Sequence, residues 1–230
     1  MAIDILFEDK EIIVVKKPAG MLSQGNRSSE MDVVSYLKNY LCTQGGIRGE
    51  PYIALIHRLD RPVGGILALA KTQKSAGLLS RQMQSNQMTK KYLAVLTGEP
   101  IREAGTLTDY LNKDARTNLT RVVPKDTVGS KEAVLNYQVL QSKRENGQIY
   151  TLAEITLLTG RHHQIRAQMA HAGVGVYGDT KYNPLFIEHQ GWVDIGLFAD
   201  RLEFNHPIKK KRLKFKCQPE GKPYELFDQR

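Results

Sequence analysis

From Lys91 onward the chain is a series of short, largely apolar segments: KYLAVLTGE, AVLNYQVLQS, IYTLAEITLLTG, LFADRLEF and KRLKFKC. One helical stretch, RHHQIRAQMAHAG, is set among them, with Gly173 placed to cap its C-terminus. In VLNYQVL, Leu135, Tyr137 and Val139 alternate with polar or opposite-face residues, the two-residue period of a half-buried antiparallel strand. Strands that outnumber helices without alternating with them favour an α+β fold over a doubly wound one. The expected architecture is a central, mostly antiparallel sheet with flanking helices and loops.

The N-terminal half fits that class. ILFEDKEIIVVKKPAG reads as a strand pair ended by Pro18 and Gly20. SSEMDVVSYLKNYL carries polar capping candidates, then Val33, Val34, Leu37, Tyr40 and Leu41 at helical spacing. Ile53–Ile56 and Ile66–Ala70 read as buried strands, and TQKSAGLLSRQMQSNQ as a helix with Ala76, Leu79 and Met83 on one face. No composition break marks a linker, so residues 1–230 are expected to form a single domain, bilobed at most.

Charge and cysteine usage narrow the function classes. Thirty-three Lys+Arg against 24 Asp+Glu give a formal net charge of +9, which favours a polyanionic partner. No run approaches the roughly 18–20 apolar residues of a membrane span. MAIDILFEDK is acidic where a signal peptide needs a basic start, so a cytoplasmic protein beginning at Met1 is expected. Cys42 and Cys217 form no C-x-x-C pair, which argues against a disulfide framework or a cysteine zinc site.

Two apparent cofactor signals fail on context. His162, His163 and His171 cluster on the predicted helix, but adjacent histidines on a helix point in different directions. His163 and His171 are eight residues apart, two turns along the axis and too far to share an ion. No metal is expected, and the histidines are read as facing RNA or bracing a loop. GVGVYG, Gly173 to Gly178, matches G-x-G-x-x-G but follows a helix and leads into a turn, so no dinucleotide cofactor is implied.

The densest chemistry lies in LIHRLDRPVGGILALAK, residues 55–71. Asp60 sits between Arg58 and Arg61 at the end of an apolar strand. Taken alone, a carboxylate in an arginine-rich turn is most often a structural ion pair. The other reading is a desolvated nucleophile kept ionised by the surrounding guanidiniums. Spacing leaves both open.

HRLDRPVGGILALAK resembles the catalytic motif of the RluA-type pseudouridine synthases, and four further segments agree in order. ILFEDKEIIVVKKPAGMLSQ is similar to the family's first strands and K-P-x-G turn, and KKYLAVLTGE to its K-x-Y-x-A-x-V-x-G strand. LLTGRHHQIRAQMAHAGVGVYGDTKY resembles its G-R-x-H-Q-I-R helix and G-D-x-x-Y turn, and LFADRLEFNHP its closing strand. Two departures stand out: Pro62-Val63-Gly64-Gly65 where Thr-Ser before the glycine is commoner, and Phe198 where His is usual.

The resemblance implies the pseudouridine synthase fold around a catalytic cleft, as a stand-alone catalytic domain without the accessory N-terminal RNA-binding domain of many relatives. It also implies cofactor-free isomerisation of uridine to pseudouridine in transfer or ribosomal RNA. Asp60 is then the nucleophile, Arg166 the arginine that pairs with it, and Tyr92 the ring that stacks on uracil and takes the final proton. Arg58 fills the gap left by a flipped nucleotide. Arg61, His57, Lys71, Lys91, Arg161, His163 and Gln164 are the further RNA-binding candidates, with Lys90 and the Lys209–Arg212 run beside them. A monomer acting on an RNA stem-loop is expected. The alternative is a non-catalytic RNA-binding or assembly factor on the same fold.

Overall fold

The computed structural model describes residues 2–25, 30–45 and 49–227. In chain order its elements are β1 (Asp4–Glu8), β2 (Ile12–Lys17), α1 (Val33–Gly45), β3 (Ala54–Leu55), β4 (Gly64–Ala70), α2 (Gln73–Gln84) and β5 (Thr89–Thr97). There follow β6 (Ala104–Asp114), β7 (Leu119–Val123), β8 (Lys131–Glu145), β9 (Gln148–Leu157) and α3 (Gln164–His171). The last are β10 (Leu197–Asn205), β11 (Arg212–Lys216) and α4 (Lys222–Glu225). The architecture is α+β, and no described helix is long and apolar enough to cross a membrane.

The chain forms two compact units, each assembled from two stretches of sequence. The first comprises Met1–Lys90 and Ala199–Gln218, with strand order β1-β2-β4-β10; β3 joins β4 and β11 joins β10. Ile12, Ile13, Val14 and Val15 are all fully buried, which is why this strand reads as a continuous β-branched run rather than an alternation. On one face Ala76, Leu79 and Met83 of α2 pack over Ile12, Val14, Ile66, Ala68, Leu202 and Phe204. Thr72 starts that helix by accepting a hydrogen bond from the Ser75 amide at 3.2 Å. Asp32 precedes α1, whose Val33, Leu37 and Leu41 are buried, and accepts from the Ser35 amide and hydroxyl. The predicted strand over Ile53–Ile56 shrinks to the two residues of β3.

The second unit comprises Lys91–Phe198 and Pro219–Arg230, with strand order β5-β9-β8-β6-β7. The pairings β5–β9, β9–β8, β8–β6 and β6–β7 are antiparallel. The β6–β7 hairpin has no counterpart in the sequence reading. Its residues lie mostly half-exposed, and Leu111 alone is fully sequestered in β6, so its apolar alternation is faint. It is a strand pair because Ala104–Leu111 hydrogen-bond along β8. Leu111, Ala133 and Ala167 then close a small core beneath it with Val122 and Tyr182.

α3 begins three residues later than the predicted helix. His163 adopts a left-handed φ of 51°, which no α-helix propagates through. For that reason His162 and His163 do not diverge as helical neighbours would; their rings stack at 3.7 Å. Gly173, at φ 83°, ends α3 as expected. GVGVYG then lies along β5, the Thr97 amide donating to Gly175 and the Tyr177 amide to Val95, each at 2.8 Å. A Cβ on Gly178 would stand 2.3 Å from the Asp194 carbonyl oxygen, so this glycine serves backbone packing.

Candidate active site

Asp60 lies in the first unit, half-buried, on a loop gripped by the segment that follows β2. Lys17 is the anchor. It is fully buried, and its ammonium donates to the carbonyls of Met21 at 2.7 Å, Pro18 at 3.0 Å and Arg61 at 3.2 Å. Burial pushes this lysine down to about 7, and the negative charge of Asp60 opposes that shift. The Ser23 hydroxyl donates to the Leu59 carbonyl at 2.8 Å and accepts from the Leu59 amide at 3.1 Å. The Gly20 amide donates to Arg61 at 2.8 Å, and Arg61 Nε returns a bond to the Gly20 carbonyl at 3.1 Å. The turn is closed by the Val63 amide on the Asp60 carbonyl at 3.0 Å. The K-P-x-G turn and the H-R-L-D loop are therefore one hydrogen-bonded unit.

The last glycine of this loop is required by packing. Gly65 has φ 123°, and an added Cβ would stand 2.3 Å from the Ala199 carbonyl oxygen and 2.6 Å from its amide nitrogen. Both clashes are with backbone, which cannot rotate away. Gly65→Ala is expected to destabilise the protein by about 3 kcal/mol through overpacking and backbone strain. A urea midpoint equal to that of the wild type would refute this.

The remaining candidates of the first unit divide by direction. Arg58 is exposed and makes no hydrogen bond or ion pair among the described residues. His57 turns inward: its Nε2 accepts from the Ala68 amide at 3.3 Å, and its Nδ1 is sealed from solvent without a partner. Burial, with the Lys90 charge adding to it, pushes the imidazole down to about 3, so the ring is neutral. Lys90 is itself 9% exposed, and burial lowers it. Arg61 pairs with Glu30 at 3.1 Å and Lys71 with Glu8. Through its bond to the Ala68 amide, His57 braces the base of the loop.

In the second unit, Tyr92 projects from β5 at 7% exposure, opposite Ile155 of β9. Arg166 leaves α3 and forks onto Asp179, Nε to Oδ2 and Nη2 to Oδ1, each at 2.7 Å. The two side chains are 4% and 0% exposed. Sequence reasoning did not single out Asp179, although it is the acid of the quoted G-D-x-x-Y turn. Its Oδ1 also accepts from the amides of Lys181 and Tyr182, so one carboxylate fixes both the turn and the guanidinium.

Tyr182 completes the arrangement. Its ring lies 5.2 Å from the Arg166 guanidinium carbon, and its hydroxyl accepts from the Thr120 amide at 2.8 Å. That hydroxyl lies 2.7 Å from His163 Nδ1. Burial, followed by the nearby Arg166, holds His163 well below the ordinary histidine range. The neutral ring accepts at Nδ1 from the tyrosine O–H. His162 Nδ1 meets the Thr120 hydroxyl at 2.8 Å. Gln164 is 3% exposed and uses its amide on Thr159, the Arg161 amide and the Val134 carbonyl. Through these bonds it ties the start of α3 to Thr159, Arg161 and Val134. Lys91 pairs with Glu154, and Arg161 Nε donates to the Glu132 carbonyl at 2.9 Å. Among the described residues no cluster of His, Cys, Asp or Glu is arranged to hold a metal ion.

This clamped carboxylate and forked arginine fall within a recognised family. Residues 11–171 match the family model described as RNA pseudouridylate synthase, well over half of the chain. The chain belongs to the RNA pseudouridylate synthase family. It is 32% identical over 221 residues to a protein named "Uncharacterized RNA pseudouridine synthase YlyB" of Bacillus subtilis, covering 94% of this chain and 69% of that one. It is also 32% identical over 228 residues to tRNA pseudouridine synthase C of Pasteurella multocida, covering 93% and 90%. Among solved structures, Human RNA Pseudouridylate Synthase Domain Containing 4 aligns over 94% of this chain and 88% of its own, with a TM-score of 0.75 at 23% identity. The fold is thus shared with that structure at 23% identity.

Proposed function

We propose that the protein isomerises a specific uridine to pseudouridine within a structured RNA, with Asp60 as nucleophile. The observation that carries this reading is the grip on the Asp60 loop: a buried ammonium and two side-chain tethers spent on holding one carboxylate in place. A carboxylate needed only for charge balance requires no such anchoring.

The reaction breaks the N-glycosidic bond, turns the uracil while it is bound, and joins its C5 to the ribose carbon. Asp60 begins it by attack on the ribose, by attack on the base, or by assisting elimination to a glycal; all three need an ionised, oriented carboxylate. Tyr92 supplies an aromatic face for uracil and a phenol that relays the proton leaving C5 at the end, as the freed N1 of the product takes up a proton. Arg166, fixed by Asp179, supplies a cation that does not move. Arg58 is the side chain proposed to fill the stack once the target nucleotide has left it.

Relatives named for transfer RNA and for the large ribosomal subunit both match this chain, so RNA is the substrate class. Transfer RNA is the first candidate, because the transfer-RNA enzyme is matched along nearly its whole length. Arg61, Lys71, Lys91 and Arg161 are proposed backbone contacts. Their present partners are exposed or half-exposed groups that phosphates can displace at small cost.

The test is to incubate the purified protein with RNA from cells lacking its gene and digest the product to nucleosides. New pseudouridine at one or a few positions is the expected result. Binding without new pseudouridine would establish the RNA-binding factor instead, and released uracil a hydrolase.

A further inference from the structure

We propose that the open face of the β10–β11 ladder, centred on Lys214 and Lys216, is a rail for the phosphate backbone of the RNA that flanks the modified uridine. This rests on the function proposed above and extends it to a surface outside the catalytic residues.

The register makes the rail. Arg201 lies opposite Lys216, Glu203 opposite Lys214, and Asn205 opposite Arg212, all on one face of the ladder. Leu202, Phe204, Leu213 and Phe215 fill the other face and are taken up by the core. The outward face thus carries four cations against one carboxylate. Arg201 and Lys216 are like charges placed directly across the strand pair.

The basic run just before β11 separates into fastened and outward-facing charges. Lys209 is bound to Asp9 at 3.0 Å. Arg212 donates to the Gln87 carbonyl at 2.7 Å and to the Thr89 hydroxyl at 3.1 Å. Those two hold the fold, while Lys210, Lys211, Lys214 and Lys216 are exposed. Lys214 and Lys216 are alternate residues of one strand, about 7 Å apart. That is the scale on which consecutive phosphates follow one another along a strand.

The position suits flanking RNA. Ala199 of β10 is the residue whose backbone touches Gly65 in the Asp60 loop. Arg201 follows two residues later, about 7 Å along the strand. A chain of phosphates leaving the Asp60 loop along β10 meets the rail at once. Lysines also protect an edge strand from pairing with other chains, but that role makes no demand on RNA affinity.

The experiment compares Lys214→Ala/Lys216→Ala with Lys10→Ala/Lys74→Ala, an equal loss of charge at exposed lysines elsewhere in the same unit. Binding of the transfer-RNA fraction from cells lacking the gene is titrated over a range of salt, and turnover is followed in the same RNA. The rail pair is expected to bind about tenfold more weakly and to lower the salt slope by about two. KM should rise in proportion, with kcat within about twofold of wild type. The control pair should lie within about threefold of wild type in affinity. Unchanged affinity and slope in the rail pair, or an equal loss in the control pair, overturns the rail while the wild type still turns over. A wild type that forms no pseudouridine in any RNA overturns the underlying function and the rail with it.

Discussion

Asp60→Asn should abolish pseudouridine formation, lowering turnover by at least about 10⁴-fold, while leaving the fold and RNA affinity in place. The reason lies in what the clamp holds. Lys17, Ser23, Gly20 and Val63 grip the loop through main-chain atoms of Leu59, Asp60 and Arg61, none of them the carboxylate. An amide of the same shape keeps those main-chain contacts and removes the charge and the nucleophile.

The charge lost has its own signature. Asp60 raises the proton affinity of Lys17 against the burial that lowers it, so its removal depresses that lysine further. A lysine at about 7 in the fold and 10.5 outside it contributes stability that rises with pH between those values, because the unfolded chain binds the extra proton. In the variant the lower end of this window moves down. Its deficit in stability against wild type should therefore be largest near pH 6 and should shrink by pH 9, read from urea midpoints at each pH. Wild-type turnover in Asp60→Asn would sink the mechanism. A pH-independent difference in stability would sink the coupling to Lys17.

Replacing Arg166 by Lys should lower kcat by about 10²-fold with RNA affinity within about threefold of wild type. A lysine keeps the charge but cannot form the two-pronged contact with Asp179, so the cation is no longer fixed in direction. Arg166→Ala is harsher, because it leaves the fully buried Asp179 carboxylate without its partner at a cost of about 3–5 kcal/mol. Asp179→Asn tests the same fork from the other side. Its kcat loss should not add to that of Arg166→Lys in the double variant, since both remove one geometry. Lys210→Ala supplies the contrast: weaker binding with a shallower salt slope, at unchanged kcat. Wild-type kcat in Arg166→Lys, or parallel losses of kcat and affinity in Arg166→Lys and Lys210→Ala, would refute this division of labour.

Much of this was legible in the chain. The helical spacing of Val33, Leu37 and Leu41 and the β-branched run of β2 are local patterns, and the folded protein obeys both. The order of five short motifs pointed to the family before any contact was known. What escaped was whatever one segment does for another. Periodicity places His163 within a helix because it is blind to a single left-handed residue. The inward hydrogen bonds of Gln164 and His57 are not legible in the sequence, because a polar side chain beside a catalytic motif gives no sign of which way it faces. The β6–β7 hairpin was missed because its stability comes from pairing with β8 and not from its own apolar pattern.

The sequence by itself determined the class of fold, the family, and the residue types the chemistry needs, because these are written in local periodicity and in motif order. Tertiary structure alone decided how those residues are held. Lys17 reaches 44 positions along the chain to the Arg61 carbonyl, and Ala199 lies far beyond Gly65 in sequence yet leaves it no room for a side chain. Asp179 turns Arg166 from a basic helix residue into a fixed cation. Such contacts cost conformational entropy that no local pattern records, and they form only because burial of the surrounding core makes the closure favourable.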